Sequence, residues 1–422
     1  MSSRQSRSTL IYLILSGTLR LAGAVIYTTL TVYYVTTIHM NPLQLVLVGT
    51  VLEGSYFLFE VPTGVVADTI SRRLSVTIGV LVIAAAYLLE GAIPLFASIL
   101  LAEGIRGVGE TFLSGATEAW LADEVGEEAV GPIYIRSGQI NRIVSLVGVA
   151  ASVGLASIRL NLPALAGGGL CLALGLFLVW TMPEHGFHPA PRGERSTWQV
   201  MGHTFGASLQ AVRSSDLLPL LLAVTFFAGA ASEGWDRLWQ AHLLTSFNLP
   251  ALGVLKPVAW FGIISAVGLL LSLATTELLR PRLEALSQRP RGIARMLLTL
   301  DGITMICVIV FALTGHLALA IVTVLIKGVA DSLGQPLHDT WLIQNTEPGL
   351  RATMLSMIGQ TNSLGQIAGG PGVGAVGVAS MRAAIALAGV LLLPIAYLYG
   401  RVLRRKAPGL AEPLPEGTTP ES

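Results

Sequence analysis

The stretch EVPTGVVADTISRR, from Glu60 to Arg73, ends one long apolar run, and a second run, LSVTIGVLVIAAAYLL, begins at once. The polar content between them is small: one acid, Asp68, and two adjacent cations, Arg72 and Arg73, with Gly64 a turn before the acid. A helix needs about 20 apolar residues to cross a bilayer. Two runs of that order joined by a few charged residues read as a hairpin between membrane spans.

The chain has 422 residues, of which 53% are hydrophobic and 12% charged. Its mean hydropathy is +0.69. Soluble domains carry about 25% charged residues, so this is the composition of an integral membrane protein. The net charge of +1 argues against a nucleic-acid partner. Cys171 and Cys307 sit within apolar runs and read as small buried residues, not as a disulfide or metal pair. The histidines show no metal-ligand spacing, and no phosphate-binding glycine loop ending in Lys-Ser/Thr is present. No metal, cofactor or direct use of ATP is expected. No nucleophile–base constellation stands out either, so the chain does not read as an enzyme.

Twelve spans are expected. The first six cover Leu10–Ile38, Leu43–Ala67, Leu74–Ile93, Leu95–Leu121, Ile133–Ser157 and Leu162–Met182. The second six cover Leu217–Phe247, Leu252–Leu279, Ala294–Leu313, Leu317–Ile343, Thr353–Ala379 and Arg382–Val402. The fold class is therefore an all-α membrane protein of twelve transmembrane helices in two pseudosymmetric six-helix bundles. The division expected is a cytoplasmic segment 1–9, a bundle 10–182, a linker 183–216, a bundle 217–403 and a disordered tail 404–422. Residues 1–9 are polar, and the first apolar run exceeds a signal-peptide core, so it reads as a retained span. Within the linker, Trp198–Val212 reads as a short helix on the membrane surface.

With the amino terminus inside, eighteen arginines and lysines fall on inner segments and three, Arg159, Lys256 and Arg382, on outer ones. That bias sets both termini in the cytoplasm of a cell-membrane protein. The halves also repeat at an offset of 221 residues: IRGVGE at Ile105–Glu110 meets IKGVAD at Ile326–Asp331, and Gly138-Gln139-Ile140-Asn141 meets Gly359-Gln360-Thr361-Asn362. Glu118-Ala119-Trp120-Leu121 meets Asp339-Thr340-Trp341-Leu342, and Gly148 meets Gly369. Strings in register over this length indicate duplication.

The hairpin at Gly64, Asp68, Arg72 and Arg73 resembles the loop between helices 2 and 3 of the major facilitator superfamily, G-x-x-x-D-(R/K)-x-G-R-(R/K). Thr69 and Ser71 depart from it at the first basic and second glycine positions. The resemblance implies parallel six-helix repeats, a substrate site between the halves near mid-membrane, and alternating access by rocking of the two bundles. It also implies a cytoplasmic gate in which this hairpin pairs with neighbouring helix ends; Asp123 and Glu124 are the expected partners of the arginines, whose other reading is as positive-inside anchors alone. The string GQIAGGPGVGAVG, Gly365–Gly377, is similar to the glycine–proline motif of proton-coupled drug exporters, but it lies in the symmetry mate of the helix that usually carries it.

Ionisable residues deep in spans are costly in hydrocarbon and point to a cavity or a partner. Arg106 and Glu110 share a helix face with Glu103; this resembles the family's helix-4 motif, in which a buried arginine is tied to proton transfer. Lys327 and Asp331 repeat the pair. Glu103, Arg106, Glu110, Lys327 and Asp331 are thus the proton-coupling candidates; the other reading is a permanent structural ion pair for the first three and inter-helix packing inherited from the duplication for Lys327 and Asp331. Arg20, Tyr27, Glu53, Arg142, Glu233, Trp235, Asp236 and Arg237 are the substrate-cavity candidates; for the last four, an interfacial belt is the alternative. The function expected is secondary transport, with proton-driven export of amphipathic drug-like or lipid-like molecules by a monomer in the lipid bilayer. Uptake of a small organic anion by symport is the first alternative, and a lipid scramblase or membrane sensor the second. The partners expected are a small-molecule substrate, protons and lipid.

Overall fold

The computed structural model describes residues 3–189, 206, 212–213, 218–250, 257–287, 290–344, 346 and 351–404. The surface helix expected at Trp198–Val212 and the tail fall almost wholly outside these residues. The described chain forms fifteen helices that make twelve membrane passes. In the amino half these are α1 (Ser3–Tyr27), α2 (Leu30–Thr36), α3 (Pro42–Thr69), α4 (Arg72–Ala92), α5 (Phe96–Leu113), α6 (Ala116–Val125), α7 (Glu127–Ile158) and α8 (Leu162–Thr181). The carboxyl half holds α9 (Leu218–Ser246), α10 (Ala259–Ser287), α11 (Pro290–Leu313), α12 (Leu317–Gln344), α13 (Arg351–Ala379), α14 (Met381–Val390) and α15 (Leu393–Arg404).

Local chemistry sets the ends. Asn41 caps α3 by accepting from the backbone N–H of Gln44 at 2.9 Å, and the Gln44 side chain returns the bond to the Asn41 N–H, a reciprocal capping box. Pro42 follows at the first helical position, where no donor is lost. Ser71 caps α4 through the Leu74 N–H at 2.9 Å. Three passes are broken where sequence periodicity gives continuous spans: between α1 and α2, between α14 and α15, and at Gly115. Gly115 has φ +68°, a left-handed conformation that suits glycine, and it separates α5 from α6. The first pass also begins earlier than expected. Ser3 opens α1, and Ser8 is buried with its hydroxyl on Glu124 at 3.3 Å; a polar residue is tolerated there because its hydrogen bond is made.

Among the described residues, ten passes are long and apolar enough to cross a membrane. The two that fall short are α5, which carries Glu103, Arg106 and Glu110, and α13, rich in Gly, Ser and Gln. Both are central to the interior.

The duplication is visible in the packing. The pairs α1–α7, α1–α8, α3–α5, α4–α5 and α4–α8 of the first half recur as α9–α13, α9–α14, α10–α12, α11–α12 and α11–α14 in the second. Across the middle, α3 packs on α13 and α10 on α7, again one pseudosymmetric pair. A Cβ at Gly148 would stand 2.6 Å from Ala24 Cβ, and one at Gly369 would stand 2.6 Å from Ala230 Cβ. The same repeated glycine thus permits the crossing of α7 over α1 and of α13 over α9.

The halves meet where α3 begins and where α7 ends. Gly374 of α13 lies against Leu43 and Val46, and Gly262 of α10 against Val153 and Val149. Toward its other end, α3 exposes Leu58 at 67%, and α7 exposes Ile135 at 68%. One end of the interior is therefore sealed by close glycine contacts, and the other is not walled in the same way.

Overpacking a tight crossing costs about 1–3 kcal/mol. Gly148→Ala and Gly369→Ala are each expected to lower the thermal unfolding midpoint of the purified protein by several degrees. Gly302→Ala, where a Cβ meets no atom within 4 Å, is expected to leave it unchanged.

Candidate functional site: a charged chamber between the halves

The interior is organised by α5. Its helical period sets Glu103, Arg106 and Glu110 along one face. Arg106 Nη2 donates to Glu103 Oε2 at 2.5 Å, and its Nε reaches both Glu103 oxygens at 3.2 Å. Its other amino group donates to Glu110. The guanidinium lies 5.5 Å from the ring centroid of Tyr27 and 6.0 Å from that of Tyr87. The two tyrosine hydroxyls are themselves hydrogen-bonded at 2.5 Å. Exposure separates the two acids: the Glu103 side chain is 2% exposed and that of Glu110 35%. Glu103 is thus a sealed counter-ion, and Glu110 faces open space.

The carboxyl half repeats the pattern with less burial. Lys327 Nζ donates to Asp331 at 2.6 Å and sits 5.0 Å from the Trp235 ring centroid. The Asp331 side chain is 46% exposed. On α9, Arg237 Nε donates to the buried Glu233 at 3.2 Å. Gly49 of α3 lies so close to this pair that any Cβ there would overlap it.

These groups border two lobes of one chamber, about 840 Å³ and 640 Å³, which share Glu110 and Asp236. The larger lobe lies between the halves and is lined by Arg20, Tyr27, Tyr87, Arg237, Trp239 and Gln240 among others. The smaller lies mostly within the carboxyl half and includes Glu53, Trp235, Asp301, Lys327, Asp331 and Asp339. Volumes of this order suit small organic ligands. Arg20 Nε donates to Ser145 at 2.8 Å, while Glu53 accepts from Ser363 at 2.6 Å; Arg20 and Glu53 therefore serve different lobes and do not pair. Arg142 lines neither lobe. It reaches Glu277 of α10 at 3.4 Å, both side chains being half exposed.

The hairpin at Glu60–Arg73 folds as a clasp. Arg72 pairs with Asp123 and donates to the Ala119 carbonyl at 3.0 Å. Arg73 donates to the Val179 carbonyl at 2.7 Å, and its N–H bonds Glu184 at 2.9 Å. Glu124 instead accepts from the N–H groups of His185 and Gly186. These partners lie in the amino half or, for Glu184, His185 and Gly186, in the residues just after α8. Asp68 is exposed, and open space surrounds the position of a Cβ at Gly64.

Sequence reasoning missed three groups that the fold brings inside. Glu90 is 1% exposed and is bonded by the Tyr34 hydroxyl. Tyr87 and Tyr399 line the chamber. Glu90 stands less than a turn from the end of α4, where a charge reads as interfacial. Its burial depends on α2, which no local pattern places over it.

A twelve-pass helical bundle with an internal repeat and a charged chamber between its halves is the architecture of a secondary transporter. The family model described as Major Facilitator Superfamily matches residues 12–370, and the chain belongs to that superfamily. It is similar to the uncharacterized MFS-type transporter YxaM of Bacillus subtilis (strain 168), with 24% identity over 220 residues, 52% of this chain and 55% of that protein. The chain thus matches about half the length of this curated relative. Among solved structures, the fold resembles that of the nucleoside transporter NupG, with a TM-score of 0.75 at 16% identity over 94% of this chain and 99% of that one. It also resembles a bacterial homolog of the human lysosomal transporter Spinster in an inward-facing, unoccupied conformation, with a TM-score of 0.71 at 15% identity over 97% of this chain and 100% of that one. At such identities these likenesses speak for the fold alone.

Removing one partner of a buried ion pair costs about 3–5 kcal/mol, because the other charge is left uncompensated. Arg106→Met is therefore expected to lower the yield of monodisperse protein sharply. The double variant Arg106→Met with Glu103→Gln is expected to restore much of it, measured by size-exclusion chromatography. Equal yields for the single and double variants would show that Glu103 is not the counter-ion that matters.

Proposed function

We propose that this protein is a proton-coupled exporter of amphipathic small molecules, working as a monomer in the cell membrane with both termini in the cytoplasm. The observation that carries the proton part is Glu110. It borders both lobes and is held by Arg106. A carboxylate that opens to a ligand chamber on one side and to a buried guanidinium on the other can exchange a proton for a salt bridge. Protonation of Glu110 releases Arg106, whose remaining partner is Glu103. The repeated pair Lys327–Asp331 offers the same exchange in the other half. Aromatic side chains beside these charges, Tyr27 and Trp239 in the larger lobe and Trp235 in the smaller, suit ligands with an apolar body and a polar group.

The orientation rests on the arginine bias of the segments between passes. In that orientation the sealed end of the chamber faces outward, and the exposed ends of α3 and α7 face the cytoplasm, as an exporter loading its substrate requires. The Arg72–Asp123 clasp then lies at the cytoplasmic end, with Asp68 and Gly64 free to meet α13 when that end closes. Arg20, Arg237 and Asp236 are the polar contacts offered to substrate in the larger lobe.

Reconstitution in liposomes tests this reading. An imposed pH gradient is expected to drive accumulation of a lipophilic substrate, and its collapse to stop accumulation. Glu110→Gln is expected to lose gradient-driven accumulation by at least tenfold while retaining exchange of labelled for unlabelled substrate. Accumulation that ignores the pH gradient would remove the proton from the mechanism.

A further inference from the structure

The two lobes differ in charge. The lining of the larger lobe holds two cations, Arg20 and Arg237, beside two acids, Glu110 and Asp236. The smaller lobe is bordered by six carboxylates, Glu53, Glu110, Asp236, Asp301, Asp331 and Asp339, and its lining holds one lysine, Lys327, and one histidine, His338. Lys327 is already committed to Asp331, and Glu110 to Arg106. The remaining acids outnumber the cations. A second feature is independent of the acids. Tyr399 also lines this lobe, its residue is 0% exposed, and its hydroxyl is buried without a hydrogen-bond partner among the described residues. A buried phenol that donates to nothing and accepts from nothing calls for an occupant.

We propose that the smaller lobe binds the ammonium group of an organic amine, with Tyr399 and Asp301 as ligand-contacting residues and Trp235 as an aromatic wall. This deepens the transport reading above and rests on it. An amine N–H donates both to carboxylates and to a phenol oxygen, which satisfies Tyr399 and neutralises acid together. Lys327 already shows what the lobe does to an ammonium: it is held between the Asp331 carboxylate at 2.6 Å and the Trp235 face at 5.0 Å, an electrostatic attraction to the ring added to a salt bridge. An inorganic cation fits less well. Among the described residues no three acid, histidine or cysteine side chains converge as metal ligands do. The carboxylates are instead spread around about 640 Å³ with apolar walls such as Leu392 and Val308, which accommodates a molecule with a hydrocarbon body.

Binding is measured at equilibrium, apart from flux, on the full chain in lipid nanodiscs by isothermal titration calorimetry. The probe is phenethylamine, with phenylacetate as its anionic counterpart and potassium chloride as the inorganic control. Saturable binding of the amine is expected, with phenylacetate at least tenfold weaker. Asp301→Asn and Tyr399→Phe should each weaken amine binding at least tenfold, while Glu128→Gln, on the exposed start of α7, leaves it within twofold. Equal affinity for amine and acid, no amine binding, or displacement of the amine by millimolar potassium would each overturn the proposal. If either chamber variant fails to purify as a single species, the comparison of amine with acid on the unaltered protein decides. Failure here with flux of other solutes intact removes the amine site alone; absence of any flux removes the transport reading itself.

Discussion

A guanidinium held inside a membrane protein must be answered by charge, and in this fold Arg106 is answered from three directions. Glu103 neutralises it within its own helix, Glu110 meets it from the chamber, and Tyr27 and Tyr87 present their rings from α1 and α4. The cost of stranding that charge in hydrocarbon fixes the rotation of α5 and the positions of both neighbouring helices. It also fixes where polarity opens: the acid that leaves Arg106 half answered is the one that faces the chamber. The floor of the cavity is therefore set by an electrostatic requirement, and the helices around it are arranged to meet that requirement.

The same requirement is met twice with different strength. Lys327 and Asp331 occupy the repeated positions, yet no third partner of the Glu103 kind stands before the lysine; the repeated position three residues upstream is Val324. Lys327 takes the Trp235 face instead. The amino-half pair is locked by an acid that solvent does not reach, whereas the carboxyl-half pair has its acid half exposed. Duplication preserved the backbone crossings at Gly148 and Gly369, which are steric and leave little freedom. It did not preserve the charge complement around the cavity, where substitution changes chemistry without disturbing packing.

Much of this was legible in one sequence because hydrocarbon imposes a simple rule on composition. Apolar runs gave the passes, the offset of 221 residues gave the repeat, and charges within runs gave Arg106, Lys327 and their acids. What stayed hidden depended on partners distant in sequence. Glu90 reads as a helix-end charge until α2 covers it with Tyr34. Arg142 reads as a buried cation, yet it stands half exposed on Glu277, because periodicity places a residue on a face without saying what the face meets. The break at Gly115 was masked by apolar neighbours on either side. Tyr399 lies in a helix whose character is amphipathic, and nothing local distinguishes a tyrosine at a lipid surface from one beneath a cavity.

The clasp at Arg72 shows how a motif and its mechanics can separate. Both arginines are engaged, but with the Asp123 carboxylate and backbone carbonyls of the amino half and with Glu184 just after α8. Such bonds make the amino bundle rigid at that end without tying it to the other bundle. Asp68 is exposed and Gly64 has open space beside it at the same end, where α3 and α7 also leave apolar side chains uncovered. At the far end the halves are pressed together at Gly262 and Gly374, where an added Cβ would overlap a Val153 methyl and stand 3.0 Å from the Leu43 Cα. Among the described residues the close glycine contacts between the halves lie at that end, a geometry that suits rocking of one bundle on the other with those contacts as bearing. The chamber charges sit between them and the exposed ends of α3 and α7, where the bonds across the halves among the described residues are made by side chains alone, Glu53 with Ser363 and Arg142 with Glu277.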